Sequence, residues 1–357
     1  MPPNAANRVR ALRQQQGLTQ AELATRAGIS RTAVTAIEAD QIIPSVTAAL
    51  GIALALGTTV EQLFGSAPAQ VGEPVWGATV TSATIGWWAA EVGPQTVLYP
   101  AGTAPLLTPL PDGLSDQVLD SSGLRQQARD TLVLACCDPA VGLLASLYQQ
   151  QTGLRLLVLP RSSGESLRLL REGLVHLAGV HFSTADDPHG NLRAATEAYP
   201  RPFQLLRMAT WREGIVSQPG ARLRSVRSAV KSRLNWIGRE PGSGAAHCLE
   251  LILPDHGQPK YLARNHRGVV EAIQSGWAEA GVCVELASAE AGLAFLPVQE
   301  EAYELCIPAD LIEDRRVQAL LQVVRGAEFR KLLSQVIGYQ TQQTGDWTSG
   351  SADATAG

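Results

Sequence analysis

The sequence has no apolar run of eighteen residues, and its opening stretch MPPNAANRVRALRQQQ has no hydrophobic core of the kind a signal peptide needs. No membrane partner is therefore expected, and the chain is expected to be cytoplasmic. Cysteine is scarce. There are five (Cys136, Cys137, Cys248, Cys283, Cys306), an odd number with no CxxC pair, which argues against a disulfide framework or a metal knuckle. Cys136 and Cys137 are adjacent and so poorly placed to chelate one ion together, and buried free thiols are the simpler expectation. An excess of positive charge is also missing: the formal net charge is −4, so the whole molecule is no coat for a polyanion, although a local phosphate-binding face is still allowed. No GxxxxGK[ST] loop and no HExxH pair occurs. His247, His256 and His266 fall in unrelated contexts, no nucleophile–base–orienter set is evident, and no catalytic residue, metal ligand or cofactor is assigned.

What is present is ordinary folded-protein composition, 45% apolar and 17% charged, over 357 residues. That length exceeds what one compact core usually fills, so two or three domains are expected.

The first sixty-six residues are the most legible. Val9 and Leu12 mark the inner face of a first helix that Gly17 can close. Thr19-Gln20-Ala21-Glu22 has capping-box spacing and opens a second helix reaching about Ala27. Gly28 supplies a turn, and Ser30 caps a third helix with Ala33, Val34 and Ile37 inward. Pro44-Ser45 opens a fourth helix ending at Gly57, and Thr59 with Gln62 forms a capping box for a short fifth. The stretch LRQQQGLTQAELATRAGISRTAVTAIEADQIIPSVTAALGIALALGTTVEQLF closely resembles the phage-repressor-like (XRE/Cro) helix-turn-helix family over its whole length. That resemblance implies a double-stranded DNA operator as partner and a third helix entering the major groove. Arg31, Thr32, Thr35 and Ala36 would lie near base edges, while Gln20 and Ser30 would hold phosphates. The alternative is a merely polar helix face. Residues 1–65 hold five arginines against four acids, a net of +1. Affinity from charge alone is then weak, and a homodimer on paired half-sites is expected.

Between 67 and 125 the chain reads as linker and small β-subdomain. GSAPAQVGEP is the linker, Val75 to about Pro100 carries short strands separated by Gly-Pro turns, and TAPLLTPLPDGL is loop. Trp76, Trp87 and Trp88 are expected to be core or interface anchors.

From 126 to 344 strands alternate with helices. TLVLACC is a buried strand, and Asp138-Pro139 is expected to open the next helix. RLLVLP leads to Ser162-Ser163-Gly164, a possible cap for a helix ending at Gly173, and LAGVHF is a further strand. Such βαβ units favour a parallel sheet covered by helices. The segments CDPAVGLL, the SSG loop, LAGVHF, REPGSGAAHCLEL, HRGVVEAIQSGWAEAGVCVE and GLAFLPVQEEAYELCIP, in this order, resemble the periplasmic-binding-protein-like domain, specifically the branch attached to helix-turn-helix regulators and molybdenum-cofactor biosynthesis proteins. The resemblance departs at Cys136-Cys137, where a small residue is common.

The expected architecture is thus multidomain: an all-α helix-turn-helix head, a short β-rich connector, and an α/β two-lobed domain of the type II periplasmic-binding-protein-like class. Lobe 1 would cover about 126–205 and 305–344 and lobe 2 about 206–304, with crossings near Gln204–Thr210 and Glu300–Ile307. Residues 345–357 are expected to be a disordered tail.

In open α/β sheets ligands lie beyond the carboxyl ends of strands, where helix N-termini present N–H groups. Three such ends are available: Cys137-Asp138, Ser162-Ser163-Gly164, and Pro241 followed by Gly242-Ser243-Gly244. Arg239 and Arg161 flank two of them, and His181 closes LAGVHF. A small anion is the ligand these ends would suit. Against this, the serines could simply cap helices, the arginines could be solvated, and His181 could be a packed core residue. The resemblance implies an oxyanion such as molybdate or tungstate, or a molybdenum-cofactor-related compound. The expected function is then a ligand-responsive regulator, in the first instance a repressor. Alternatives are a C-terminal domain that only dimerises, a sensor of an unrelated organic ligand, and an enzyme.

Overall fold

A computed structural model describes residues 8–64, 74–81, 83–101, 110–114, 122–221, 223–254 and 259–350. These divide into two compact units, with the boundary between Glu73 and Pro74. Most of the linker GSAPAQVGEP lies outside the described residues, as do His256 and the Gln62 side chain.

The first unit is five short helices: α1 (Val9–Gln15), α2 (Gln20–Ala27), α3 (Arg31–Glu38), α4 (Val46–Ala55) and α5 (Val60–Phe64). Local chemistry fixes their ends. The Thr19 hydroxyl accepts the Glu22 N–H at 3.2 Å while the Glu22 carboxylate accepts the Thr19 N–H at 2.7 Å. Gly28 ends α2 at φ +68°, a left-handed conformation that costs a side-chain-bearing residue energy. Ser30 then caps α3 through the Ala33 N–H. Val9, Leu23, Val34, Ile37, Ile52 and Leu63 close a core of their own.

The second unit begins with β1 (Val75–Trp76), β2 (Gly86–Val92), β3 (Gln95–Ala101) and β4 (Gly113–Leu114), ordered β1-β3-β2-β4, followed by α6 (Ser122–Arg129). This is no separate subdomain. Trp88, Val97 and Tyr99 share one core with Val133, Leu157 and Leu170 further along. The carboxylate of Asp112 forms a two-pronged pair with the guanidinium of buried Arg155. Gly113–Leu114, read as loop from the sequence, is a strand because it pairs with β2. Trp87 and Trp88 are buried anchors as expected, but Trp76 is 42% exposed, lying on a two-residue strand with a half-open face.

Beyond it come β5 (Thr131–Cys136), α7 (Val141–Thr152), β6 (Arg155–Pro160), α8 (Ser163–Arg171), β7 (Leu177–Thr184), α9 (Gly190–Ala198) and β8 (Phe203–Ser217). Next are α10 (Val226–Lys231), β9 (Gly238–Arg239), α11 (Gly244–Ile252), β10 (Leu262–Ala263), α12 (His266–Gln274), β11 (Ala280–Val284), α13 (Glu285–Glu290) and β12 (Ala294–Pro308). The chain finishes with α14 (Arg315–Arg325), α15 (Ala327–Leu333), β13 (Tyr339–Gln340) and β14 (Trp347–Gly350).

The sheet runs β11-β8-β12-β7-β5-β6, with β6, β5 and β7 mutually parallel. Strands β8 and β12, fifteen residues each, pair antiparallel along their whole length. At one end β7 joins β12, and at the other β11 joins β8. These two strands are the crossings between two lobes, and the expected crossing segments fall within them.

Two further expectations are corrected. Asp138-Pro139 does not open a helix. Asp138 accepts the Ala140 N–H at 2.8 Å in a local turn, and α7 starts only at Val141. Residues 345–350, expected to be disordered, are ordered against the sheet: Gly345 donates to the Arg207 carbonyl, and β14 pairs with β8.

Candidate functional site

Arg31, Thr32 and Thr35 are exposed on α3, as is its cap Ser30, and Ala36 is half-buried. Gln20 is less free than expected for a phosphate contact. Its amide donates to Glu38 at 2.9 Å and accepts from the Thr35 hydroxyl at 3.1 Å, while Glu38 also binds Arg13 at 2.6 Å. This network ties α1, α2 and α3 together and fixes how α3 is presented.

In the second unit, the structure brings the three helix-end segments to one place. The Gly164 N–H donates to the Gly242 carbonyl at 3.1 Å, so the tip of α8 in one lobe touches the approach to α11 in the other. A Cβ on Gly244 would lie 2.5 Å from His181 Nδ1, so glycine is needed for that approach. Cys137 Sγ lies 3.0 Å from His181 Nε2. Asp138 is turned to Tyr339, whose hydroxyl donates to it at 2.5 Å. Ser243 caps α11 through the Ala246 N–H and donates its own hydrogen to the Glu240 carbonyl. Ser162 takes the N-cap position of α8 without a side-chain capping bond. Arg161 stands apart, donating to the Pro160 carbonyl.

Reasoning from sequence missed half of the cluster. His181 is completely buried, with Nδ1 2.6 Å from Glu301. Glu301 also accepts from Trp211 Nε1 at 3.2 Å and from the Gln299 amide at 2.7 Å. Contrary to expectation, therefore, a thiol, an imidazole and an orienting carboxylate do form a connected set. Burial opposes charge on His181, but the neighbouring Cys137 and Glu301 outweigh it and hold the imidazole well above its ordinary range. Burial, then the Glu301 charge, pushes Glu213 well above the usual carboxyl range. His266 goes the opposite way, lowered by burial and by the Arg239 charge.

Arg239 is 3% exposed, and its Nη1 lies 3.1 Å from His266 Nδ1. Among the described residues its Nε and Nη2 have no partner. Neither do the hydroxyls of Ser163 and Ser166 or His266 Nε2. Since His266 Nδ1 faces both the Arg239 guanidinium and the Val284 N–H, which donates at 3.3 Å, the ring proton belongs on Nε2. Both carboxyl oxygens of Glu213, a group that feels the Arg239 charge, are likewise buried and unpartnered, so the interior holds unmet donors and an unmet carboxyl around a buried cation. Unpartnered buried polar atoms are rare in folded proteins and cost about 1–3 kcal/mol each.

Ligand atoms of Cys137, His181 and His266 lie within 4.8 Å of one another, as do those of His181, Glu213 and Glu301. The hydrogen bonding fits a metal poorly. Both His181 nitrogens are engaged, His266 Nε2 carries its proton, and a guanidinium lies alongside. The same donors suit an anion.

A family model described as PBP superfamily domain matches residues 144–325, and a helix-turn-helix model matches residues 9–63. The chain is 22% identical over 195 residues to YvgK of Bacillus subtilis, an uncharacterized protein. The match covers 52% of this chain and 63% of that relative's length. Among solved structures, it is similar to the tungstate ABC transporter of Geobacter sulfurreducens (16% identity, TM-score 0.45, covering 57% of this chain and 98% of that one). It is also similar to PhnD1 of Prochlorococcus marinus in complex with methylphosphonate (12% identity, TM-score 0.43, covering 59% and 92%). Among the described residues no helix is long and apolar enough to cross a membrane.

Proposed function

The chain belongs to the PBP superfamily and carries a DNA-binding helix-turn-helix head, and from that premise we propose that it is a cytoplasmic transcriptional regulator whose interlobe cleft binds a small anion. The preferred ligand is molybdate, tungstate or a molybdenum-cofactor-related compound, and the head acts as a homodimer on an operator with two half-sites. A regulator joined to a binding-protein-like domain points away from a catalytic role.

One observation supports the reading of the ligand: buried Arg239, 3.1 Å from His266, keeps two nitrogens, Nε and Nη2, unpartnered among the described residues, and the Ser163 and Ser166 hydroxyls at the start of α8 are unpartnered as well. A guanidinium out of water is costly unless an anion meets it, and its fork geometry suits an oxyanion. Closure of the lobes over that anion would favour one state of the domain. The operator affinity can shift only by the difference in ligand affinity between the two states.

Isothermal titration of the full chain with molybdate, tungstate, sulfate and phosphate tests this. The expected result is heat with at least one oxyanion, lost in Arg239→Gln. Absence of heat with all four removes the oxyanion ligand.

A further inference from the structure

We propose that Cys137 is a nucleophilic thiol, paired with His181 and oriented through Glu301, that adds to the electrophilic carbon of a small carboxylate-bearing α,β-unsaturated carbonyl compound held between the lobes.

The geometry is that of an activated nucleophile. Cys137 Sγ is 3.0 Å from His181 Nε2, and the other ring nitrogen is 2.6 Å from Glu301. The carboxylate is itself pinned by Trp211 and Gln299, so it fixes the ring and keeps a proton on Nδ1. Nε2 is thereby directed at the sulfur, and transfer of the thiol proton gives a thiolate–imidazolium pair. Cys137 directly follows β5, at the carboxyl end of a parallel strand, where open α/β sheets place their ligands.

The other cysteines offer a contrast. All five are buried, Cys137 included, but Cys137 is the one with an imidazole nitrogen within hydrogen-bond reach of its sulfur among the described residues. Around the pair the charged and titratable groups are Glu301 and Tyr303 on β12, Glu213 on β8, Arg239 on β9, His266 on α12, Tyr339 on β13, and Cys136 and Asp138 on either side of Cys137. Only Glu301 touches His181 directly, and it favours the imidazolium.

In the addition, a sulfur–carbon bond forms at the β-carbon while the π pair moves onto the carbonyl oxygen as an enolate. His181 then returns its Nε2 proton to the α-carbon, leaving a neutral thioether and a neutral imidazole. No oxidant or further reactant is required. The carboxylate of the ligand would meet the donors of Arg239, Ser163, Ser166 and His266. That part rests on the anion-binding reading above, whereas the reactivity of the thiol does not.

Alkylation of the full chain with iodoacetamide and iodoacetate, read residue by residue by mass spectrometry, separates the two. Cys137 should be modified first among the five cysteines. Its rate should be nearly flat from pH 8 to pH 6, where an ordinary thiol with a pKa near 8.5 loses roughly 80-fold. Glu301→Gln and His181→Asn should restore the steep profile and slow the reaction about tenfold at pH 6, because neither variant leaves an oriented imidazole to take the thiol proton. Iodoacetate should outpace iodoacetamide at Cys137, and Arg239→Gln should abolish that preference while leaving the profile flat. A steep profile in the unaltered chain overturns the proposal. So does a native Cys137 that stays unlabelled while all five cysteines react in urea. A flat profile without preference for iodoacetate keeps the nucleophile and overturns the carboxylate-bearing class of ligand.

Discussion

Gly164 donates its backbone N–H to the carbonyl of Gly242 at 3.1 Å, joining a helix tip of one lobe to the loop before a helix of the other. A Cβ at position 164 would lie 2.9 Å from that carbonyl oxygen, and a backbone atom cannot swing aside as a side-chain end can. Gly164→Val is therefore expected to hold the tips apart. Amide hydrogen exchange over residues 162–167 should be at least about tenfold faster than in the unaltered chain. Gly142→Ala is the control: nothing lies within 4 Å of its Cβ in the first turn of α7, and it should leave exchange over 162–167 unchanged. Unchanged exchange in Gly164→Val would show that the lobes are not kept together by this contact.

Arg155 anchors the β1–β4 sheet to the large one. Its guanidinium pairs with Asp112 at 2.5 and 2.6 Å, donates to the Ala89 carbonyl at 3.0 Å and to the Thr131 hydroxyl at 2.9 Å. Both side chains are buried. Removing one partner of such a pair strands the other charge, which typically costs about 3–5 kcal/mol. Asp112→Ala should lower the urea midpoint accordingly in a single transition covering residues 74 onward. A separate early transition for the small sheet would contradict the shared core.

Much of this was legible in advance for identifiable reasons. In the head, the signals are local: a hydroxyl three residues before a glutamate, a glycine where φ must be positive, apolar residues at helical spacing. Two of the three expected helix ends, Ser162-Ser163-Gly164 and Gly242-Ser243-Gly244, were likewise readable, because glycine and serine after a strand mark a turn into a helix, whereas Cys137-Asp138 opens no helix. Glu213, Glu301 and His266 were not. Trp211 pairs with Glu301, and Glu213 with Gln299, across strands about ninety residues apart in sequence. Strand register is a tertiary outcome, and a buried glutamate in REGIVS looks like any exposed one until its partners are known. The assignment of Trp76 to the core and of residues 345–350 to a disordered tail failed for the same reason, since each depended on long-range packing, while 351–357 lie outside the described residues.

On the DNA head, Arg31 is exposed at the first position of α3, while Gln20 is engaged by Glu38 and Thr35. Arg31→Ala should therefore relax base preference at one position per half-site, by about 1–3 kcal/mol if it reads a guanine edge. Loss of affinity that is uniform across sequences, with a salt slope reduced by about one, would identify Arg31 as a phosphate contact instead. Fluorescence anisotropy with operator variants at two salt concentrations separates these. Gln20→Ala should act mainly through the stability of the head.

Asp138 links the geometry around Cys137 to pH. Burial lifts its carboxyl from an ordinary 3.8 to about 6, against the opposing hydrogen bonds from Tyr339 and the Ala140 N–H. Between these two values the folded chain binds a proton that the unfolded chain has released, so stability falls as pH rises through that window. Asp138→Asn has no proton to lose and keeps an oxygen to accept the Tyr339 hydroxyl. The stability advantage of Asp138→Asn over the unaltered chain should therefore grow from about pH 4 to about pH 6 and stay level above it. Paired thermal melts at pH 4, 5, 6 and 7.5 read this difference directly. A difference that is constant across the series would mean that Asp138 stays ionised throughout, held by partners stronger than the burial that opposes them.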